Sequence, residues 1–432
     1  MKTIQDFYKE TGLRNEKVGL INLGCARNLV DSQVMLGEGQ KNGAVISEVA
    51  DSDVVIINTC SFIEEAKQES IDTILDVLEL KKQGKIKKVV IAGCLAQRYT
   101  KELEKEFKEA DAIIGTQNLQ QEHVPAQVSL TPKHFAYIKI CESCYNQCSF
   151  CIIPKIKGKF ISRTMESIIT EVKKMDENGV KELNIIGQDI TAYGMDIYRE
   201  KSLARLLKDI VKETNKIEWI RILYAFPAHV TDELIEVIGN ESKICKYIDI
   251  PLQHVTDHLL KSMNRNITKV ETIALIEKFR KKIPSAALRT TFVVGLPGET
   301  DKDFEELMCF VKDMAFEKVG VFKYSHEEGT VAYDMPNQVS QKVKNGRFNR
   351  LMAVQQEVSK NIVRRFVGQT LKVLIEEKEN EEEFVYSGRS EYDAPEVDGI
   401  VYVHAGKKLM AGQFIDVKIS DAYEYDLIGD LV

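Results

Sequence analysis

The chain lacks the segments that would take it into or across a membrane. No apolar run approaches the roughly 18 residues that a membrane-spanning helix needs. The start of the chain, MKTIQDFYKETGLRNE, carries charge throughout and has no apolar stretch of the kind found in a secretory signal. We therefore expect a cytoplasmic protein without a membrane partner.

Cysteine is scarce, with nine in 432 residues, which is too few for a disulfide scaffold. The net charge of −7 excludes a generally basic chain that coats nucleic acid. A G-x-G-x-x-G fingerprint and a Walker A motif are both missing, which disfavours a nicotinamide oxidoreductase and a P-loop enzyme. Hydrophobic residues make up 44% and charged residues 29%, so the chain is globular rather than disordered.

Three apolar segments in the first quarter of the chain each end at a cysteine: KVGLINLGC, DVVIINTC and KKVVIAGC. They are rich in Val and Ile, which is typical of buried strands. An amphipathic stretch follows each of them, near residues 28–42, 61–82 and 97–109. This alternation predicts a parallel-sheet α/β domain over 17–125, preceded by an N-terminal extension, 1–16.

A polar linker around 117–134 separates this domain from a second alternating region, 126–366. Six βα units predict a partial (β/α)6 TIM-like barrel, in which chemistry belongs at the carboxyl ends of the strands. A long helical pattern, 346–366, ends the region. The candidate strands lie at 135–140, 183–187, 219–224, 247–250, 288–295 and 319–324.

The last segment, 367–432, changes to short strands separated by turns: TLKVLIE, EEFVYSGR, GIVYVH and QFIDVKI. This pattern predicts a small antiparallel β-barrel. Its charge is unusual, because residues 368–432 hold six Lys/Arg and fifteen Asp/Glu, a net −9. The remainder of the chain therefore carries +2.

Four of the nine cysteines fall within eleven residues, and three of them form the motif Cys144-Tyr-Asn-Gln-Cys148-Ser-Phe-Cys151. Thiolates at this spacing can bind three corners of one 4Fe–4S cluster and leave the fourth iron open to a small molecule. The alternative is a tetrahedral Cys₄ zinc site that includes Cys141. It is disfavoured because zinc ribbons use two separated CxxC pairs. We interpret Cys141 as a packing thiol, like Cys245 and Cys309.

Cys25, Cys60 and Cys94 occupy the same position in three successive βα units, at the carboxyl end of the strand. In an open parallel sheet these ends converge on one crevice. Each cysteine is also at or near a predicted helix N-terminus, where the helix dipole favours the thiolate. The pattern predicts a second three-thiolate cluster site, with coincidental core cysteines as the alternative.

Several motifs together resemble the methylthiotransferases of the radical S-adenosylmethionine (SAM) superfamily. The stretches that carry the likeness include LGCARNLVDS, NTCSFIEEAKQESI, GQDITAYGMD, YIDIPLQH and APEVDGIVYV. The resemblance covers all but the first sixteen residues. Within that family the chain is most similar to the RimO type, which modifies an aspartate of the ribosomal small-subunit protein S-twelve. The branch that modifies an adenosine in tRNA is the alternative.

The resemblance implies two 4Fe–4S clusters and SAM as cofactors. The cluster held by Cys144, Cys148 and Cys151 would cleave SAM to a radical that removes a hydrogen from the aspartate β-carbon. The cluster held by Cys25, Cys60 and Cys94 would present sulfur, which a second SAM methylates. It also implies that Phe150 packs on the adenine and that Gly187 and Gln188 line the SAM site, with a polar βα turn as the alternative for these two. No catalytic residue beyond the cluster ligands is assigned.

The implied partners are the ribosomal protein S-twelve, free or in the subunit, an external electron donor such as a flavodoxin, and a sulfur donor. The C-terminal domain resembles a TRAM module. Its net charge of −9 would attract a basic ribosomal protein and repel RNA, which makes tRNA an improbable partner. Glu381, Glu382, Glu383 and Asp398 are predicted to be exposed acids of this domain. The alternative interpretation is an acidic domain that only aids solubility.

Other charged residues near the predicted strand ends have two interpretations each. His254 either faces the cavity or caps a strand end. Glu327 and Glu328, just past the last barrel strand, are candidates to meet basic substrate residues. A basic stretch after the cluster motif is interpreted as a solvated loop, with contact to RNA or substrate as the alternative. Its members are Lys155, Lys157, Lys159 and Arg163.

Overall fold

The computed structural model describes residues 3–116, 121, 124, 126–380 and 384–432. Part of the predicted linker at 117–134 lies outside the described residues. The elements form three groups in chain order: a parallel sheet, an open barrel and a small closed barrel. In the described part of the chain, none of the helices is both long and apolar enough to cross a membrane.

The first group is a five-stranded parallel sheet with the order β2-β1-β3-β4-β5. The central strand, β3, is buried at all six positions, since helices cover both faces of the sheet. The three predicted strands are confirmed, and the two short edge strands were missed. The strands are β1 (Lys17–Asn22), β2 (Val45–Ile46), β3 (Val54–Thr59), β4 (Lys88–Gly93) and β5 (Ala112–Ile114). The helices are α1 (Ile4–Thr11), α2 (Ala26–Lys41), α3 (Glu64–Lys82), α4 (Cys94–Arg98) and α5 (Thr100–Glu106).

Helix α1 lies in the predicted N-terminal extension. A capping box between Thr3 and Asp6 starts it, and Gly12, with φ +60°, ends it. Its apolar side chains, including Phe7, pack with Met35 in one hydrophobic cluster. The extension is therefore part of the core of the first group.

The second group is a half-open barrel made of two three-stranded parallel sheets, β10-β9-β6 and β11-β12-β13, joined by a bridge between Ile220 and Ile244. Among the described residues no ladder joins β6 to β13, so the barrel is open there. All six strands begin within one residue of the predicted positions. The barrel strands are β6 (Phe135–Lys139), β9 (Glu182–Ile186), β10 (Trp219–Ile222), β11 (Tyr247–Asp249), β12 (Ala287–Val294) and β13 (Lys318–Lys323). Two further strands, β7 (Cys141–Glu142) and β8 (Ile161–Ser162), form a separate antiparallel pair that was not predicted. The helices are α6 (Ile153–Lys157), α7 (Met165–Glu177), α8 (Leu203–Glu213), α9 (Asp232–Asn240), α10 (Asp257–Ser262), α11 (Lys269–Lys282), α12 (Asp301–Met314) and α13 (Gln341–Val363).

The third group is a closed barrel with the order β14-β15-β16-β18-β17. Its pairs are antiparallel except β16 with β18, which is parallel. The four predicted strands are confirmed and a fifth, β18, was missed. The strands are β14 (Thr370–Asn380), β15 (Val385–Ser390), β16 (Val401–His404), β17 (Phe414–Ala422) and β18 (Leu427–Leu431).

The open barrel is flanked by both other groups. Val30 of α2 packs with Phe135 and Tyr137 of β6, and Leu374 of the closed barrel belongs to the same apolar cluster. The first group thus lies beside the first barrel strand. This packing brings the carboxyl ends of the strands in the first sheet close to the carboxyl ends of the strands in the open barrel.

Candidate functional site

Cys25, Cys60 and Cys94 lie together at the carboxyl edge of the first sheet. Cys25 is the N-cap of α2, Cys60 follows β3 and Cys94 begins α4. A β-carbon placed on Gly24 would lie 3.0 Å from the Cys60 sulfur, which shows how closely the Cys25 loop passes. Asn28 fixes the three ends, because its amide nitrogen donates to the Thr59 carbonyl at 3.1 Å and its oxygen lies 3.7 Å from the Cys94 sulfur.

The three thiols of this trio differ in acidity. Burial raises the pKa of Cys25, but the Arg27 guanidinium and the backbone amides of Arg27 and Asn28 outweigh it, so that the pKa lies below its usual value. Burial raises the pKa of Cys60, and raises that of Cys94 to about 12. The predicted helix dipole favours the thiolate, but at Cys60 and Cys94 burial acts in the opposite direction and the pKa is raised.

The second trio, Cys144, Cys148 and Cys151, lies on the loop between β7 and α6, at the mouth of the open barrel. Nitrogen donors point at its sulfurs. The backbone and side-chain nitrogens of Asn146 lie 3.4 and 3.6 Å from the Cys144 sulfur, and Arg265 Nη1 lies 3.5 Å from the Cys148 sulfur. Hydrogen bonds to sulfur are typical of iron–sulfur sites, so this donor set fits such a cluster.

Asn146 is held in turn by a buried carboxylate. Asp189 Oδ2 accepts from Asn146 Nδ2 at 2.7 Å and lies 2.8 Å from His229 Nδ1. Its other oxygen accepts from the amide and hydroxyl of Thr191 at 3.0 and 2.6 Å. Asp189 therefore fixes the orientation of the amide that faces Cys144.

Sequence reasoning missed these supporting residues. Asn146 could have been found, because it lies inside the cysteine motif. Asp189 lies in the stretch GQDITAYGMD, directly after Gln188, so its place was marked although its role was not. His229 and Arg265 come from distant loops, and no local pattern marks them.

Cys141 is fully buried in the barrel core, as a packing thiol should be. Its sulfur donates to the Asp189 carbonyl at 3.6 Å and fills the space beside Gly187, where a β-carbon would approach it to 2.5 Å. Across the described residues no three Cys, His, Asp or Glu side chains are close enough to hold one metal ion. The geometry thus gives no support to the zinc alternative. It does not bear on a cubane, whose thiolates bind different irons and lie farther apart.

The two trios face each other across the boundary between the sheet and the barrel. The side chain of Cys94 packs with Ile152 and Ile156, which directly follow the barrel motif. Arg27, two residues after Cys25, also influences the Cys151 thiol electrostatically. Both trios therefore line one cleft.

A network of four buried charges ties the two sides of this cleft together. Lys139 of β6 contacts Asp31 of α2 and lies 2.5 Å from Glu142 of β7. Lys157 of α6 lies 3.0 Å from Asp31 and 3.4 Å from Glu142. All four side chains are at most 5% exposed. Two positive and two negative charges make this quartet neutral, which reduces the cost of burying it.

The burial of two basic side chains corrects one prediction. Lys157 and Arg163 were interpreted as part of a solvated loop, but their side chains are each 2% exposed and paired with carboxylates. Arg163 lies 2.7 Å from Glu171. Only Lys155 and Lys159 are exposed, as predicted.

Glu327 corrects another prediction, that it meets substrate. It is 2% exposed, and its carboxylate lies 2.8 Å from Arg98 and 3.1 Å from Lys67 of the first group. Glu327 therefore forms a second set of ion pairs across the cleft, in addition to the quartet. Glu328 is exposed. Burial of Lys67 lowers its pKa, but Glu64 and Glu327 raise it above the usual value.

Two remaining predictions have mixed outcomes. Cys245 is buried as predicted, whereas Cys309 is exposed on α12, so the packing interpretation is wrong for Cys309. His254 is fully buried and its Nδ1 accepts from the Thr256 amide at 3.2 Å, which is a capping contact. Burial lowers the pKa of His254 to about 3.

The residues predicted to contact SAM lie at the barrel mouth. Phe150 packs against Leu259, Met263 and their neighbours. The Gly187 carbonyl accepts from Arg27 Nη1 at 3.1 Å, and Gln188 Nε2 donates to Glu142 at 2.9 Å. The Gln188 oxygen is buried without a partner among the described residues.

Comparison with family models divides the chain as the folding pattern does. Residues 17–115 match an uncharacterised protein family, UPF0004. Residues 138–311 match the radical SAM superfamily, and residues 367–432 match the TRAM domain.

Curated relatives match over nearly the whole chain. The "ribosomal protein uS12 methylthiotransferase RimO" of Clostridioides difficile (strain 630) is 45% identical over 96% of this chain and 99% of its own length. The protein of the same name from Caldanaerobacter subterraneus subsp. tengcongensis is 47% identical, with the same two coverages. This chain belongs to the RimO methylthiotransferase family. It is a radical SAM enzyme, and the family uses two 4Fe–4S clusters and SAM, as predicted.

Among solved structures, the radical SAM methyltransferase TsrM from Kitasatospora setae, with cobalamin and a 4Fe–4S cluster bound, aligns with a TM-score of 0.52. It is 14% identical and covers 72% of this chain and 75% of that chain. At this identity the likeness shows the fold alone. It agrees with the fold of this RimO family member, an α/β domain followed by an open (β/α)6 barrel.

Some acidic residues of the closed barrel contact the open barrel. Asp393 lies 2.6 Å from Lys318, and Asp398 accepts from the Tyr247 hydroxyl at 2.6 Å. Asp398 was predicted to be an exposed acid, but its side chain is 4% exposed, so that prediction is wrong. The acids that are exposed among the described residues are Glu377, Glu379, Glu396, Asp416, Asp421 and Asp430. The exposed bases of this barrel are Lys372, Lys378, Lys407, Lys408 and Lys418.

Proposed function

We propose that this chain transfers a methylthio group to the β-carbon of an aspartate of ribosomal protein uS12. The observation that carries the proposal is the convergence of two cysteine trios on one cleft, supported by relatives whose name gives uS12 as their substrate. The location that follows from this substrate is the cytoplasm.

We assign Cys144, Cys148 and Cys151 to the cluster that binds SAM. When bound, this cluster supplies the electron that cleaves SAM, chemistry that acid–base groups cannot provide at an unactivated C–H bond. Asn146 and Arg265 hold N–H groups toward the sulfurs. Burial raises the pKa of Cys144 to about 11, and the two nitrogens of Asn146 act against this rise.

We assign Cys25, Cys60 and Cys94 to the cluster that presents sulfur. The Cys25 thiol is the most acidic of the three, because Arg27 and two backbone amides favour its thiolate. Cys60 and Cys94 lose their protons only when a metal binds, since burial holds their pKa values high. Cluster assembly at this site therefore releases protons.

We propose the same SAM contacts that the resemblance implies. Phe150 lies on the apolar wall of the barrel mouth, suited to an adenine ring. Gly187 supplies a backbone edge at the end of β9, and the unpaired oxygen of Gln188 is free to accept a hydrogen bond. In this arrangement SAM lies beside the trio of the barrel.

The reaction also needs an electron donor, for which a flavodoxin is suitable, and an external source of sulfur. The closed barrel is proposed to dock the basic substrate protein. Because its exposed charges among the described residues are nearly balanced, docking depends on local acids rather than on the net charge of −9. The acidic stretch at 381–383 lies outside the described residues.

The test is methyl transfer from labelled SAM by the anaerobically reconstituted enzyme. With uS12, free or in small subunits, mass spectrometry should find one added methylthio group on an aspartate. With tRNA no label should be transferred. Label on tRNA adenosine and none on uS12 would reject the proposal in favour of the tRNA branch.

A further inference from the structure

Arg27 is placed between the two cysteine trios. Its Nη1 donates to the Gly187 carbonyl at 3.1 Å, so its side chain crosses from the first group to the barrel mouth. The guanidinium lies over the ring of Tyr224, 4.3 Å from the centroid. It lies beside the Cys25 thiol and within electrostatic reach of Cys151.

Arg27 has no carboxylate partner, and among the partly or fully buried cations of this cleft it shares this with Arg265, which contacts the Cys148 sulfur and the Pro251 carbonyl. Lys139, Lys157 and Arg98 each contact at least one carboxylate. Within the described part of the chain, no Asp or Glu oxygen lies within 4.0 Å of Arg27. Glu142, the acid that influences it, is already engaged with the lysines of the quartet.

A guanidinium withdrawn from water without a counter-charge is costly. The Cys25 thiol, to which Arg27 is hydrogen-bonded, is its nearest acidic partner, and the neutral quartet offers no further negative charge. Arg27 is thus a guanidinium without a carboxylate between the trios. Such a group is suited to an anionic ligand, and its planar fork matches a carboxylate in particular.

Tyr224 gives an independent sign that the position serves a ligand. Its backbone has φ +71°, a left-handed conformation that is rare for a bulky side chain. The conformation is held by hydrogen bonds from the Tyr224 amide to Asp249 at 2.9 Å and from the Ile190 amide to the Tyr224 carbonyl at 3.3 Å. Strained residues of this kind concentrate at ligand clamps, and here the strain accompanies a ring placed under the guanidinium.

We propose that Arg27 binds the side-chain carboxylate of the substrate aspartate; this inference rests on the proposed function. The reacting β-carbon is bonded directly to that carboxylate. A guanidinium that holds the carboxylate between the trios therefore places the β-carbon within the cleft, between the site of hydrogen removal and the site of sulfur delivery. The methionine carboxylate of SAM is the other source of the same chemistry, and the experiment separates the two.

The experiment is a double-mutant cycle on binding. The reconstituted enzyme and its Arg27→Gln variant are titrated with purified uS12 and with uS12 whose target aspartate is replaced by Asn. On the wild-type enzyme the Asn substitution should weaken binding about tenfold or more, as for a hydrogen-bonded charge pair. On Arg27→Gln the two forms of uS12 should bind equally. Arg27→Lys, which keeps the charge but loses the fork, should lie between.

Arg205→Gln is the matched control, because Arg205 is exposed on α8. It should show the wild-type preference for the aspartate form. An equal loss of affinity for both forms of uS12 in Arg27→Gln would overturn the proposal, since no carboxylate would then be recognised.

Two further readouts distinguish other roles. A loss of SAM affinity in Arg27→Gln, without coupling to the uS12 aspartate, would assign Arg27 to the SAM carboxylate and overturn the proposal. A changed iron content or a changed electron paramagnetic resonance signal, with the preference for the aspartate form of uS12 retained, would assign it to the neighbouring cluster and do the same. If wild-type enzyme neither binds nor modifies uS12, the proposed function itself fails, which is a separate result.

Discussion

The two cysteine trios reach the same cleft by opposite routes. Cys144, Cys148 and Cys151 lie within eight residues on one loop, so their grouping is local. Cys25, Cys60 and Cys94 are spread over seventy residues and meet because three parallel strands end at the same edge. A local site depends on loop geometry, whereas a distributed site depends on the whole sheet being folded. The following predictions test this contrast.

Replacing Cys144, Cys148 and Cys151 with Ala has the largest expected effect. Wild-type enzyme should hold about eight irons after anaerobic reconstitution, and this variant about four. Reductive SAM cleavage should be abolished, because the variant lacks the thiolates of the open-iron cluster. Iron analysis and chromatography of the cleavage products measure both, and surviving cleavage would show that the ligands are misassigned.

Replacing Cys25, Cys60 and Cys94 with Ala should also leave about four irons, yet retain SAM cleavage while methylthiolation stops. The same two assays apply, together with mass spectrometry of uS12. Wild-type iron content in this variant would mean that the distributed trio holds no cluster.

The Lys157→Met variant tests the link between the two sites. It removes one charge of the buried quartet and leaves Asp31 and Glu142 with a single lysine, which should destabilise the fold by about 3–5 kcal/mol. Denaturant unfolding measures this. Lys155→Met is the control, because Lys155 is exposed two residues earlier on the same helix. Equal stability of the two variants would mean that the quartet contributes nothing net.

A Gly187→Ala substitution tests how tightly the barrel mouth is packed. The added β-carbon would lie 2.5 Å from the Cys141 sulfur, so overpacking should cost about 1–3 kcal/mol. Adding Cys141→Ala should restore most of the loss. Cys141→Ala alone should keep the wild-type iron content and SAM cleavage, and loss of the barrel cluster would make Cys141 a ligand after all.

The smallest effect is expected from the closed barrel. Changing the exposed Glu377 and Glu379 to Lys should slow association with uS12 modestly, since exposed pairs contribute only about 0–1 kcal/mol each. The effect should fade as salt rises, because screening shortens the reach of exposed charges. Stopped-flow association at two salt concentrations checks this, and an unchanged rate at low salt would remove the docking role.

Much of the fold could be predicted because its strands are buried and rich in Val and Ile. The six barrel strands stand out as short apolar runs for that reason. The edge strands Val45–Ile46 and Ala112–Ile114 were missed because two or three residues give no period to detect. Helix α1 was left as an extension, although its capping residues Thr3 and Gly12 were visible.

The candidate site, like the fold, could be predicted only in part. Its cysteines could be found from spacing and from their place in each βα unit. The pairing of Lys157 with Asp31 could not, because it joins residues 126 positions apart that come together only when α2 packs beside the barrel. Asp398 was misjudged for a related reason: an acid in an acidic segment looks exposed until its partners on another domain are known.

The buried quartet and the ion pairs of Glu327 both join the sheet domain to the open barrel, and together they restrict the movement of one relative to the other. Two domains joined by contacts at one point can rotate about that point, whereas contacts at two separate points prevent the rotation. The sheet domain and the barrel are therefore not expected to open like a hinge around their shared cleft. A gap of fixed width admits a narrow, extended stretch of polypeptide or the tip of a loop, and it excludes a broad folded surface. The shape of the target region should thus contribute to selectivity alongside its chemistry.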